Sequence, residues 1–406
     1  MTEQHRNTRG WIVAMAALGV NLLLGILYSW SVLGKALVSQ WGWTHTQASL
    51  PYTVCVAVFA LMMVFAGRAQ DAFGPRIIAM LGGVLFGSGL ILSSFAKDPQ
   101  WMILSFGVLG GMGLGFGYSA VTPCAIKWFE PKRKGLISGI VVSGVGLSPV
   151  YIAPLTAWLL KSKDISETFF ILGSLAMAAI VLFSLVLRNP PAQPTHAPAG
   201  TQNTSPAPSQ RNFTWREMLK TRSFYLLWVS YLLSATAGLM LIGHMANIAD
   251  VQASWKAGFL LVVILSVFNA LGRVLGGVLS DKTGRTRAML LVFLIQAANM
   301  AAFAWFTSIP LLIAGAAIAG LAYGALFALF PATTADYFGL KNMGVNYGLV
   351  FTGWGVAGII GPILGGIVAD STGTYRISFW VAAAMLLIGA AIIKLVKAPA
   401  STEAHT

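Results

Sequence analysis

Apolar stretches of about twenty residues recur along this chain with short polar breaks between them, each long enough to cross the ~30 Å hydrocarbon core of a bilayer as a helix. They predict spans near 11–33, 46–67, 76–96, 100–126, 135–160 and 168–188, then, after a polar gap, near 222–248, 256–280, 288–307, 309–336, 343–369 and 375–396. In lipid a backbone has to satisfy its own hydrogen bonds, so the pattern reads as an all-α membrane protein of twelve helices. The gap from Asn189-Pro190-Pro191 to Asn212 is rich in Pro, Ala, Ser, Thr and Gln, with too few apolar residues for a packed core. It divides the chain into a six-span bundle at 1–188, a linker at 189–221 and a second six-span bundle at 222–406.

Composition agrees with that reading: 57% of the 406 residues are hydrophobic and 9% are charged. The first apolar run lacks a small-residue cleavage site and ends in Tyr28-Ser29-Trp30, so it reads as a retained helix. A net charge of +14 would suit a nucleic-acid partner if the bases were clustered, but they are scattered through short loops. With both termini placed in the cytoplasm, 19 of the 26 Lys and Arg residues fall on that side and 6 outside, with Arg273 between, and this asymmetry sets the orientation. Cys55 and Cys124 lie inside apolar runs and read as packing residues.

The two bundles repeat each other. Gly67-Arg68-Ala69-Gln70-Asp71-Ala72-Phe73-Gly74-Pro75-Arg76 recurs as Gly277-Val278-Leu279-Ser280-Asp281-Lys282-Thr283-Gly284-Arg285. Pro123, Phe129, Gly135 and Pro154 recur as Pro331, Phe338, Gly344 and Pro362, and a shared offset across separate landmarks marks a duplicated unit. Gly67 and Gly277 permit close helix approach, while Asp71 and Asp281 can cap a following helix or pair with Arg76, Arg285 or Arg287, as a latch that breaks when the halves rock. These loops resemble the signature of the major facilitator superfamily, which implies two parallel six-helix repeats with the binding site at the midplane between them.

The eighth span carries the one arginine placed deep in an apolar run. Arg273 lies eight residues before Asp281, roughly 12 Å below the helix end. A charge there costs at least about 2.5 kcal/mol and marks a site. Its forked donor matches a carboxylate, and Asn269 sits one turn earlier on the same face. Tyr28, Tyr118 and Tyr323 are mid-span or near it and offer apolar rings with hydroxyl handles. The glycine run from Gly110 to Gly117 neither follows a strand nor opens a helix, so it is no dinucleotide loop. No nucleophile, base or metal-ligand spacing falls in reach of Arg273, which argues against an enzyme and against a cofactor.

Gly25-x-x-Tyr28-Ser29-Trp30, Gly115-x-Gly117-Tyr118, Asn269-x-x-x-Arg273, Phe330-Pro331 through Asp336-x-Phe338-Gly339, and Asn346-Tyr347-Gly348 together resemble the oxalate:formate antiporter family and, more distantly, the monocarboxylate transporters. In the oxalate exchanger a lysine after Asn-Tyr-Gly joins the arginine to hold two carboxylates. That position is Trp354 here. One buried positive charge balances one carboxylate and leaves a second one unpaired. The expectation is therefore a short monocarboxylate such as lactate, pyruvate, acetate or formate, with Trp354, Phe351 and Phe327 as an apolar wall.

The resemblance implies a bacterial inner-membrane (plasma-membrane) secondary transporter working by alternating access, proton-coupled, with a carboxylate exchanger or a non-transporting carboxylate sensor as alternatives. In the animal monocarboxylate transporters an aspartate one turn before the arginine carries the proton, where this chain has Asn269. The proton candidates here are His244, Asp250 and Lys35, with Asp336 as a cap or gate residue. The partners expected are the anion, a proton and the lipid bilayer, around a monomer and without nucleic acid.

Overall fold

The computed structural model describes residues 3–191, 212–255 and 258–399, apart from the side chains at 3–6, 28, 29, 31, 45, 46, 246, 259 and 370. Twelve helices among them are long and apolar enough to cross a membrane. They are α1 (Asn7–Trp41), α2 (His45–Phe73), α3 (Pro75–Ser93), α4 (Pro99–Ile126), α5 (Lys134–Ser162) and α6 (Ile165–Ser184). The second half supplies α7 (Arg222–Ala253), α8 (Phe259–Thr283), α9 (Arg285–Phe303), α10 (Ile309–Phe338), α11 (Met343–Thr372) and α12 (Arg376–Lys394). Exposed Leu61, Phe65, Leu182, Ile367 and Leu387 stand on outer faces of the bundle, as expected where the solvent is lipid rather than water.

The duplication is visible in the turns. Between α2 and α3 the chain reverses at Gly74 with φ +84°, and between α8 and α9 at Gly284 with φ +91°. A side chain at either position would be strained, which is why both copies carry glycine there. Within the first half α3 packs on α6 and α4; within the second, α8 packs on α10 and α7 on α11. The halves meet chiefly along α5 with α8 and α2 with α11, with further contact between α5 and α10 and between α4 and α11.

Two details differ from the sequence expectation. The first span does not stop near residue 33 but continues to Trp41 through a 3-10 segment at Gly25–Ser29, so Lys35 sits on the helix and not beyond it. The expected linker is also structured at its end. Phe213 donates its backbone N–H to the Phe338 carbonyl at 2.9 Å, and its own carbonyl accepts from the amides of Asn342 and Asn346 at 2.9 and 3.0 Å. A one-turn helix, Trp215–Met218, then starts from a capping box of Thr214 and Glu217. Residues 212–221 are thus seated on the second bundle.

Candidate functional site

α8 brings Arg273 to the boundary between the halves and leaves it 0% exposed. The approach depends on small residues across the interface. A methyl group added at Gly139 of α5 would collide with the Arg273 carbonyl, and one at Gly146 would press on its Nε at 3.1 Å. The Arg273 Nε donates to Asn269 Oδ1 at 2.9 Å, one turn back on the same helix. Its Nη1 donates to the carbonyl of Val142 on α5, so the guanidinium bonds across the two halves. Nη2 has no acceptor, and the group lies 4.3 Å over the Phe327 ring, a contact favourable for a desolvated cation. No salt bridge among the described residues engages Arg273. The guanidinium therefore does not present an empty two-nitrogen fork: one nitrogen is unengaged, and the other two are set by Asn269 and Val142.

The Phe327 ring under the guanidinium belongs to a larger aromatic cluster. Phe351 stacks on Trp354 at 4.9 Å, Trp354 donates its indole N–H to the Tyr323 hydroxyl at 2.8 Å, and Tyr323 packs edge-on to Phe327. Tyr118 reaches in from α4, 5.7 Å from Phe351. The residues singled out from sequence, Arg273, Asn269, Tyr118, Tyr323, Phe327, Phe351 and Trp354, thus fall in one buried cluster drawn from α4, α8, α10 and α11. The Tyr28 side chain lies outside the described residues.

Sequence reasoning missed several members. Phe59 of α2 touches Tyr118, Phe351 and Trp354, with ring centroids 5.4–5.9 Å apart, and an apolar ring in an apolar helix carries no signal. Tyr231 of α7 stacks on Phe330 at 3.9 Å, and Tyr347 of α11 lies edge-on to Phe351. Both were open to the rule that drew attention to Tyr118, a phenol inside an apolar span. The Val142 carbonyl is backbone and has no residue-type signature.

At the face that carries the described chain ends, the halves are clamped. Asp71 accepts from the N–H groups of Gly344 and Val345 at 3.1 and 3.0 Å, and Asp281 accepts from Gly135 and Leu136 at 2.9 and 2.8 Å. Each aspartate thus caps a helix of the opposite half, α11 or α5, and not the helix that follows it. Arg285 bonds Asp281 at 2.6 Å and Asp336 at 2.7 Å, and Lys134 reaches Asp336 at 2.9 Å. Arg76 is exposed, and no salt bridge joins it to Asp71. Only the second copy of the loop carries an ion-paired arginine, because Pro75 occupies the position equivalent to Arg285. Side chains at Gly67 or Gly277 would collide with the carbonyls of Gly344 and Gly135, so both glycines are required for closure at this face.

The proton candidates lie elsewhere. His244 is bonded through Nε2 to the Pro362 carbonyl at 2.8 Å, with the Tyr375 hydroxyl 3.4 Å from Nδ1. Since a carbonyl only accepts, Nε2 carries a hydrogen. His244 stands six residues beyond Gly238, which abuts the Tyr323 ring, hence about 9 Å of helix rise away from the cluster. Asp250 lies farther along α7 and is exposed, as is Lys35 on α1. None of the three is in the aromatic cluster.

Comparison with known proteins places this geometry in context. A family model described as Major Facilitator Superfamily matches residues 10–307 and 235–406. The chain is similar to the oxalate:formate antiporter of Oxalobacter formigenes, 29% identical over 369 residues, covering 90% of this chain and 86% of that protein. It is also similar to monocarboxylate transporter 13 of Rattus norvegicus, 26% identical over 396 residues, covering 97% and 90% respectively. Among solved structures the Escherichia coli fucose:proton symporter FucP superposes with a TM-score of 0.72 over 95% of this chain and 98% of that one. At 13% identity the last likeness is one of fold.

Proposed function

The chain belongs to the Major Facilitator Superfamily, and on that premise we propose that it carries short monocarboxylate anions of the lactate, pyruvate and acetate class across a bacterial inner membrane by alternating access. The observation that carries this reading is the buried Arg273 between the halves, with Nη2 lacking an acceptor and the Phe327 ring packed on the guanidinium. A desolvated guanidinium is a strong site for a carboxylate, and rings packed this closely suit a small alkyl group. Relatives named for oxalate, formate and monocarboxylates support the carboxylate class. The indole of Trp354 in the cluster, in place of a second cation, favours one carboxylate over two.

In this scheme Arg273 and Asn269 hold the anion, and Tyr118, Tyr323, Phe327, Phe351 and Trp354 shape the space around it. Asp71, Asp281 and Arg285 close the cytoplasmic gate, with both termini on that side, and exposed Arg76 serves as a loop charge at its edge. Proton symport drives accumulation, with His244 as the group that takes up the proton and Asp250 and Lys35 as charges near its entry. A second reading, obligatory anion exchange, is favoured by one observation: Arg273 has no carboxylate salt-bridge partner among the described residues, so the substrate itself would neutralise the site before the carrier reorients.

The test is uptake of radiolabelled L-lactate into proteoliposomes with the membrane potential clamped and an inward proton gradient present or absent. Accumulation driven by the gradient and competed by acetate, pyruvate and formate but not oxalate is the expected result. Movement only against preloaded anion selects exchange. Saturable binding without flux would leave a sensor and overturn transport.

A further inference from the structure

The second bundle holds part of its own connecting chain on the turn between α10 and α11. Phe213, 5% exposed, packs its ring edge-on against Phe338, with centroids 5.8 Å apart and 86° between planes. Its N–H donates to the Phe338 carbonyl at 2.9 Å, at the end of α10, where carbonyls lack helical partners. Its own carbonyl accepts from the amides of Asn342 and Asn346 at 2.9 and 3.0 Å, two residues one turn apart on the same side of α11. Main-chain bonds for affinity and a seated side chain for specificity are the elements of peptide recognition. The counterpart turn of the first bundle is built differently. Phe129 stands 209 residues before Phe338 and is covered by Trp11 of α1, but at the same offset Asn342 and Asn346 correspond to Arg133 and Ile137. Both halves thus keep a ring on this turn, and only the second carries an amide pair that grips a backbone.

The seat lies between the two arms that the second half extends across the clamped face. Two residues before Phe338, Asp336 receives Lys134 of α5 at 2.9 Å. Just past Asn342, the N–H groups of Gly344 and Val345 donate to Asp71 of α2. The intervening turn reverses at Gly339 with φ +84°, and the Lys341 N–H donates to Asn212 Oδ1 at 3.0 Å. The same short segment therefore grips the turn at its start, middle and end, and groups joined in one hydrogen-bond network lose their independence. We propose that residues 212–218 are a strap that couples the two latches. Seated, it holds Asp336 and the first turn of α11 in the register that lets both arms close together. Released, it lets one arm leave without the other, and this face opens. The binding site is the Phe338 carbonyl with the Asn342 and Asn346 amides, and its occupant is Phe213 of the chain itself.

The experiment uses full-length protein carrying Ser138→Cys, a position buried in α5 one turn from Lys134 and on a different helix from the seat. The rate of its reaction with a polar maleimide in detergent is compared with and without Phe213→Ala, and with and without the pair Asn342→Ala and Asn346→Ala. Each protein is also assayed with a synthetic peptide matching residues 212–221, at about 1 mM, the order of concentration that a short tether provides. Labelling about tenfold faster is expected in both variants. The peptide should restore the slow rate in Phe213→Ala, whose seat is intact, and not in the double variant, whose seat is gone. Unchanged rates in both variants overturn the coupling and leave the segment a local brace of the α10–α11 turn. Faster labelling that the peptide fails to slow in Phe213→Ala, or slows equally in the double variant, overturns the seat. No substrate enters the assay, so its outcome is independent of the anion carried.

Discussion

At Arg273, two of three guanidinium nitrogens are engaged by the protein itself, through Asn269 and the Val142 carbonyl. A lysine ammonium is a point donor on a flexible stem and cannot serve Asn269, Val142 and an anion in that planar arrangement. Arg273→Lys is therefore expected to lower the initial rate of lactate uptake by about 100-fold or more. The fold should survive, with a loss of about 1–3 kcal/mol from the missing buried hydrogen bonds. Uptake in proteoliposomes and melting in detergent check the two halves of that statement. Near-normal uptake would remove Arg273 from the site. Trp354 tests the charge argument from the other side: Trp354→Lys sets a second cation beside Tyr323 and Phe351 and should make oxalate a competitor of lactate. An oxalate-insensitive variant would show that Trp354 does not occupy the position of a second carboxylate. Much of this cluster was readable beforehand because an arginine or tyrosine in hydrocarbon is conspicuous. Phe59 and the Val142 carbonyl were not, since an apolar ring and a backbone oxygen look alike wherever they stand.

Among the helices, the repeated loop after α2 and α8 announced itself through its matched glycines and aspartates, but its partners did not. The N–H donors that complete it are 146 and 273 residues away in the other half, and a local motif names the acceptor it offers without naming what donates to it. The two copies also differ in strength. On the α5–α8 side Asp281 caps α5 and binds Arg285, which binds Asp336, which binds Lys134. On the α2–α11 side Asp71 contributes two backbone bonds. Removing one member of a largely buried ion-pair network costs about 3 kcal/mol, whereas removing a helix cap costs about 1 kcal/mol. Asp281→Ala should therefore shift the balance away from closure at this face by roughly 100-fold and Asp71→Ala by roughly fivefold. The rate at which a cysteine at Ser138, buried in α5 at this face, reacts with an impermeant maleimide measures both. Equal rates in the two variants would contradict the asymmetry.

Across the molecule, the twelve spans were encoded in the spacing of apolar runs. The seating of Phe213 between Phe338, Asn342 and Asn346 was not, because those contacts depend on how one bundle's turn is shaped in three dimensions. Arg273, fully buried and with no salt bridge to a described carboxylate, has a further consequence at this scale. A full charge crossing the membrane field changes energy by about 2.3 kcal/mol per 100 mV. In an exchanger the carrier loaded with a monoanion is neutral at its centre and the empty carrier bears a positive charge. Exchange of lactate for lactate then runs at a rate indifferent to voltage, while return of the empty carrier is slowed or hastened by it. With a proton bound alongside the anion, loaded and empty carriers bear the same charge and voltage acts on both alike. Tracer exchange at two clamped potentials thus reads the coupling mechanism from one buried arginine: an unchanged rate indicates exchange and a changed one indicates symport.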